Sequence, residues 1–185
     1  AIQQSYMPYA VVGVISPWNF PLLLSFVDAI PALLVGCAVV IKPSEVTSRF
    51  ITPLQQILNT VPHVAHIIQL FSGEGQTGAA VINHVDLVCF TGSVKTGRKV
   101  GEQCARNFIP AFLELGGKDP AIVCRDANIE LAAKALCWGS MVNAGQSCMS
   151  LERVYVHADI AEAFIAALVA NVEKLQHNYP DIKRG

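Results

Sequence analysis

The chain has 185 residues, with 13 Lys and Arg against 14 Asp and Glu, a formal charge of −1, and charged residues make up only 15% of it. A disordered chain needs low hydropathy and high net charge, so a hydrophobic content of 52% excludes disorder. No cationic excess exists to neutralise phosphates, so no nucleic-acid partner is expected.

Six cysteines, Cys37, Cys89, Cys104, Cys124, Cys137 and Cys148, include no C-x-x-C pair and no histidine pair at zinc-finger spacing. No metal site is expected from them. Scattered thiols and an N-terminus without a basic n-region point to a reducing, cytoplasmic setting. Residues 22–41 approach the length of a membrane span, but Asp28, Pro31 and Gly36 interrupt them. They read better as a buried helix leading into a buried strand, with no membrane partner.

In chain order, residues 9–15 (YAVVGVI) form a β-branched run stopped by Ser16-Pro17. Residues 20–35 predict one apolar helix and residues 37–41 a second strand, closed by Pro43-Ser44. Residues 49–59 predict a helix, 66–71 a strand, 78–83 a helix, 87–90 a strand and 93–105 a helix. Buried strands alternating with helices define an α/β fold with a doubly wound, Rossmann-like parallel sheet. Short strands follow at 112–115 and 121–124, separated by Gly116-Gly117-Lys118. A helix at 128–142 carries Leu131, Ala135, Trp138 and Val142 on one face. A strand at 153–157 precedes a helix opened by Asp159-x-x-Glu162, with Phe164, Leu168, Val172 and Leu175 in one stripe. The Gly116-Gly117 hinge is the expected boundary between a nucleotide-binding domain, residues 1–115, and the start of a second α/β domain, residues 116–185.

Several segments could carry chemistry. Gly73-Glu74-Gly75-Gln76-Thr77-Gly78 is a G-x-G-x-x-G after a strand and before a helix, either a dinucleotide loop or a tight turn. The acidic residue that such a loop needs about 20 positions on is missing. Phe90-Thr91-Gly92-Ser93 also opens a helix, as an anion site beside Lys95, Arg98 and Lys99 or as an ordinary capped helix. Cys148 lies in a small polar loop, Asn143-Ala144-Gly145-Gln146-Ser147-Cys148, while the other five cysteines read as core residues. It is either an exposed nucleophile or an incidental thiol. Glu114 stands in the apolar strand Phe112-Leu113-Glu114-Leu115. There it is either a general base with its pKa raised by burial, or half of a strand-end ion pair with Lys118.

Five stretches occur in order: Gly13-Val-Ile-Ser-Pro-Trp-Asn-Phe-Pro21, Lys42-Pro-Ser-Glu45, Phe90-Thr-Gly-Ser93, Leu113-Glu-Leu-Gly-Gly-Lys118 and Gly145-Gln-Ser-Cys148. Together they make a chain that resembles the aldehyde dehydrogenase superfamily, of the hydrolytic, NAD(P)-dependent type. The resemblance implies that the Cys148 thiolate attacks the aldehyde carbon. It implies that Asn19 and the backbone N–H of Cys148 hold the oxyanion, and that Glu114 activates the water that hydrolyses the thioester. It implies NAD, rather than NADP, as cofactor, with Lys42 and Glu45 at the adenosine ribose and Ser44 in the same motif. Phe90, Thr91, Gly92 and Ser93 would lie beside the pyrophosphate, and Gly75 near the adenosine. Ile15 and Trp18 would line the cleft, and Leu115 would belong to the cofactor site. Glu45 would replace the missing downstream acid.

Members of that family are far longer, multi-domain and homo-oligomeric. The 185-residue chain resembles their central portion, without the later glutamate of the nicotinamide ribose or most of the substrate tunnel. By itself it is expected to be inactive on aldehydes. A CoA-acylating enzyme is the rival within the family, disfavoured by Glu114, and a non-catalytic fragment is the rival outside it.

Overall fold

A computed structural model describes residues 3–175. Packing divides the chain into two compact units, Ala1–Leu115 and Gly116–Gly185. The first unit contains, in order, β1 (Val11–Ile15), α1 (Pro21–Phe26), α2 (Ala29–Leu34), β2 (Ala38–Lys42), α3 (Ile51–Asn59), α4 (Pro62–Ala65), β3 (Ile68–Leu70), α5 (Gly75–Ile82), β4 (Leu87–Gly92), α6 (Val94–Asn107) and β5 (Ala111–Leu115). The five strands form one parallel sheet in the order β3-β2-β1-β4-β5. This is the strand order of a doubly wound, Rossmann-like layer.

Helices cover both sheet faces. On one, Val12, Val14, Val39, Ile41 and Leu87 pack with Ala29 of α2 and Ile51 of α3. On the other, Ile15, Val88 and Phe90 meet Val81 and Ile82 of α5 and Val100 and Cys104 of α6. Burial on both faces is why the strands read as unbroken apolar runs. Each such fully buried Val or Ile is worth about 1.5–3 kcal/mol of transfer free energy. Close approach matters at Gly13, where an added Cβ would fall 3.0 Å from Val81 and 3.1 Å from Val85.

The single apolar helix expected over 20–35 is two short helices. Pro31 has no N–H to offer the carbonyl of Val27, and its ring crowds that carbonyl, so the chain breaks at Val27-Asp28. Residues 45–50 form a 3-10 turn rather than loop and α-helix, started by Ser44 Oγ accepting the N–H of Val46 at 3.3 Å.

The second unit contains β6 (Asp119–Val123), α7 (Ile129–Met141), β7 (Leu151–Val156) and α8 (Ala161–Val172). β6 and β7 pair in parallel, and α7 makes the crossover. Its core is Val123, Ala133, Leu136 and Phe164. Asn128 caps α7, its Oδ1 accepting the N–H of Leu131 at 3.1 Å. The apolar stripe predicted on this helix lies mostly outward. Leu131 and Trp138 are 65% and 71% exposed, whereas Ala133, Leu136 and Cys137 are buried. In α8, Phe164 is buried and Leu168 half-buried, but Leu175 lies past the helix end and is exposed. Among the described residues no helix is long and apolar enough to cross a membrane.

Candidate functional site

In the first unit the strand order reverses at β1 and β4. α/β layers take their ligands at the carboxyl edge of the sheet beside such a reversal, where the loops after β1, β2 and β4 lie. β2 ends on Lys42, a buried lysine whose Nζ lies 3.0 Å from Glu45 Oε2. The Glu45 side chain is half open to solvent. A hydrogen bond from its own backbone and then the Lys42 ammonium hold its carboxyl below the ordinary value. The buried Ser44 starts the turn that carries Glu45 back over Lys42.

β4 leads through Phe90 and Thr91, both buried, to Gly92. Ser93 then caps α6, its Oγ accepting the N–H of Thr96 at 3.2 Å. Two glycines set this packing. A Cβ on Gly92 would fall 2.6 Å from the Phe90 ring, and one on Gly97 2.5 Å from Leu115 Cδ2. Leu115 is thereby held against α6, half-buried.

The G-x-G-x-x-G segment divides its work. Gly75 is the first residue of α5, and a Cβ there would have nothing within 4 Å. Gly78 is buried, and its added Cβ would touch Ile15 Cδ1 at 3.8 Å and Lys42 Cδ at 3.9 Å. Gly78 therefore seats α5 against the ends of β1 and β2, and Gly75 faces open space.

The Pro17-Trp18-Asn19-Phe20 loop follows β1 and is anchored at three points. The N–H of Ser16 donates to the Lys42 carbonyl at 3.1 Å, continuing the β1–β2 ladder. The buried Ser16 and Ser25 hydroxyls meet at 2.6 Å, and Thr47 Oγ1 donates to the Trp18 carbonyl at 3.2 Å. Asn19 is half-buried and the Trp18 ring is 43% exposed.

Glu114 sits on the edge strand β5, paired with Thr91, and is exposed. The burial expected of it is absent, because β5 is the edge strand of this sheet. The expected alternative partner, Lys118, is engaged within the second unit. Lys118 pairs with Glu152 of β7, and the guanidinium of Arg153 donates to the Lys118 carbonyl at 2.9 Å.

In the second unit Cys148 is exposed on a tight turn, Ser147 to Ser150, closed by the Ser150 N–H on the Ser147 carbonyl at 3.2 Å. The turn is tied to α7 because the buried Ser150 donates to the Ser140 carbonyl at 3.2 Å. Before it come three left-handed residues, Asn143, Ala144 and Gly145, with φ of 53°, 57° and 75°. Two of them are not glycine, which costs backbone energy of a kind that accumulates at functional turns. Cys124 departs from expectation, being exposed rather than core, because β6 ends at Val123.

The sequence reading missed the Ser16–Ser25 pair, which no local spacing announces, and the placement of Asp28. Asp28 had a visible signal, since it is a single charge in a long apolar stretch.

Comparison with known proteins agrees with this architecture. The description "Aldehyde dehydrogenase family" matches residues 2–184, and the chain belongs to that family. It is 43% identical over 170 residues to a 4,4'-diapolycopene aldehyde oxidase from Methylomonas sp, covering 91% of this chain and 32% of that one. It is 36% identical over 183 residues to a D-glyceraldehyde dehydrogenase (NADP(+)) from Picrophilus torridus, covering 97% and 37%. Among solved structures, an NAD-dependent aldehyde dehydrogenase from Sinorhizobium meliloti superposes with a TM-score of 0.85 at 37% identity, covering 91% of this chain and 34% of that one. The chain thus spans about a third of the length of the curated relatives it matches.

Proposed function

We propose that the chain is the central part of a hydrolytic aldehyde dehydrogenase that oxidises an aldehyde to a carboxylic acid with NAD. In this reading the first unit is the dinucleotide-binding domain and the second unit begins the catalytic domain. The observation that carries it is the Lys42–Glu45 pair at the carboxyl edge of the sheet, 3.0 Å apart. A buried ammonium and a half-exposed carboxylate suit the donor and acceptor needs of ribose hydroxyls. The open space over Gly75 and the Ser93-capped start of α6 suit the adenosine and pyrophosphate of the same molecule. When bound, NAD supplies the acceptor for a hydride.

The chain's own residues do the rest. The Cys148 thiolate forms a C–S bond to the aldehyde carbon, and the carbonyl oxygen becomes an oxyanion. The Asn19 amide and the Cys148 backbone N–H donate hydrogen bonds to that oxygen. After loss of the hydride, Cys148 carries a thioester. Glu114 takes a proton from water as the oxygen adds to the thioester carbon. The C–S bond then breaks, releasing the acid and the thiolate. Covalent capture divides one difficult oxidation into two easier steps. The exposure of Glu114 suits a base that must reach water, and such a base has no task in a CoA-acylating enzyme. NAD is preferred to NADP in this reading because Glu45 accepts from a 2′-hydroxyl and repels a 2′-phosphate. The relatives' names include both cofactors.

Replacing Cys148 by Ala in the full-length enzyme tests the proposal. Dehydrogenation should disappear while cofactor affinity stays within about twofold of the parent, about 0.4 kcal/mol. Substantial turnover by that variant would overturn the assignment.

A further inference from the structure

The loop that carries Asn19 is held at its ends by buried groups and in its middle by a residue from elsewhere in the chain. At the ends, the buried Ser16 and Ser25 hydroxyls meet at 2.6 Å, and Ser25 Oγ donates to the Pro21 carbonyl at 2.5 Å. A serine hydroxyl has one proton, so Ser16 is the donor of the pair. The Phe20 carbonyl accepts the N–H of Leu24 at 2.9 Å as α1 begins. Trp18 lies between these anchors, and its carbonyl accepts from Thr47 Oγ1 at 3.2 Å, 29 residues away in sequence.

That carbonyl belongs to the peptide joining Trp18 to Asn19. A peptide unit is planar, so holding its oxygen holds the plane that contains the nitrogen and Cα of Asn19. One backbone rotation, about the N–Cα bond of Asn19, then decides where the side chain starts. The anchors at Phe20 and Pro21 limit that rotation from the other side.

Threonine hydroxyls commonly satisfy backbone groups of their own turn. Here the 45–50 turn leaves helical geometry at Thr47, with φ of −126° and ψ of 43°, and the half-buried side chain reaches the loop after β1 instead. The hydrogen bond lies at the surface, where water competes and the net gain in stability is small. Its consequence is direction rather than strength. The same turn carries Glu45 over Lys42. One short element therefore holds both the ion pair at the ribose site of our reading and the peptide that precedes Asn19.

We propose that Thr47 is a positioning residue whose hydroxyl holds the Trp18–Asn19 peptide plane and so aims the Asn19 amide at the developing oxyanion. This rests on the reading of Asn19 as an oxyanion donor. A donor already aimed needs no reorganisation when charge develops on the oxygen. A peptide plane released from Thr47 turns the amide away for part of the time, which slows the reaction and leaves cofactor affinity alone.

The test is a double-mutant cycle in the full-length enzyme. The readout is kcat/KM at saturating NAD for whichever of acetaldehyde, hexanal and benzaldehyde the parent oxidises fastest. Thr47→Val, isosteric but without the hydroxyl, should lower kcat/KM by about three- to tenfold, the range of one neutral hydrogen bond. Thr47→Ser should restore it, with melting temperature and the NAD dissociation constant near parental values in both variants. Asn19→Ala alone should cost about 10²–10³-fold. In that background Thr47→Val should cost nothing more, because residues that act through one group are not additive. If Thr47→Val folds poorly, Thr47→Ala removes the same hydroxyl. Equal losses in both backgrounds, a loss that Thr47→Ser does not restore, a loss confined to NAD affinity, or an unchanged kcat/KM each overturns the proposal. If Asn19→Ala keeps the parental kcat/KM, the oxyanion assignment itself fails. If Asn19→Ala is slow and the two losses add, only the role of Thr47 fails.

Discussion

Lys42 and Glu45 hold one ion pair with opposite relations to water: the ammonium is buried and the carboxylate is half exposed. The lysine depends on the pair, because its charge has little water to fall back on. The glutamate keeps one side free for a ligand.

Glu45→Gln should therefore weaken NAD binding and raise the relative use of NADP, by about tenfold in the ratio of dissociation constants, about 1.4 kcal/mol. Calorimetric titration with both cofactors measures this, and an unchanged ratio would place Glu45 away from the ribose. The pH dependence has a definite sign. The folded-state carboxyl of Glu45 lies below its ordinary 4.5, so its contribution is present in full above that value. The contribution is lost as pH falls through the lower, folded-state value. Glu45 therefore stays ionised between about pH 6 and 8, and its titration should leave cofactor affinity unchanged across that range.

Thiol accessibility separates the cysteines. Cys124 and Cys148 are exposed, and Cys37, Cys104 and Cys137 are buried. Burial pushes the thiols of Cys104 and Cys89 up, that of Cys89 to about 12. Brief treatment of residues 1–185 with iodoacetamide near neutral pH should label Cys124 and Cys148 first, because the thiolate reacts and must be reached. Peptide mapping that finds Cys89 or Cys104 among the early labels would contradict the packing described above.

Glu114→Gln in the full-length enzyme should slow thioester hydrolysis more than hydride loss. The signature is a burst of reduced cofactor near one equivalent per site followed by slow turnover, with deacylation limiting. Steady turnover at the parental rate, without a burst, would assign the base elsewhere.

Two glycines predict opposite outcomes. Gly13→Ala puts a Cβ 3.0 Å from Val81 and 3.1 Å from Val85 in the sheet–helix core, and should destabilise the chain by about 1–3 kcal/mol. Gly75→Ala meets nothing within 4 Å and begins a helix, so it should hold or raise stability by up to about 1 kcal/mol. If the adenosine occupies that space, Gly75→Ala should nevertheless weaken NAD. Denaturant titration read beside cofactor binding distinguishes the two, and a Gly75→Ala protein with full affinity would move the adenosine elsewhere.

Legibility followed locality. The alternation of strands and helices, and with it the doubly wound sheet, could be read because burial on both faces leaves continuous runs such as residues 38–42. The motifs at strand ends were readable because loops carry their function in consecutive residues. Orientation was harder. α7 is apolar nearly all round, so periodicity located a stripe through Leu131 and Trp138 without showing that Ala133, Leu136 and Cys137 would be the buried side. The break at Val27-Asp28 was written in Pro31, but a long apolar run masked it. The exposure of Glu114 could not be read, because an edge strand is defined by what lies beside it. The pairing of Thr91 with Glu114 needs β4 and β5 in register, which no local spacing announces.

The outward stripe of α7 has an optical consequence. The chain contains two tryptophans, Trp18 in the first unit and Trp138 in the second, and both indoles reach solvent, 43% and 71% exposed. Each should emit at the long wavelengths of hydrated indole and be open to collisional quenching by acrylamide. With Trp18→Phe or Trp138→Phe made singly, all tryptophan emission comes from one unit. Covering either surface then appears as a blue shift and a loss of quenching assigned to a single residue.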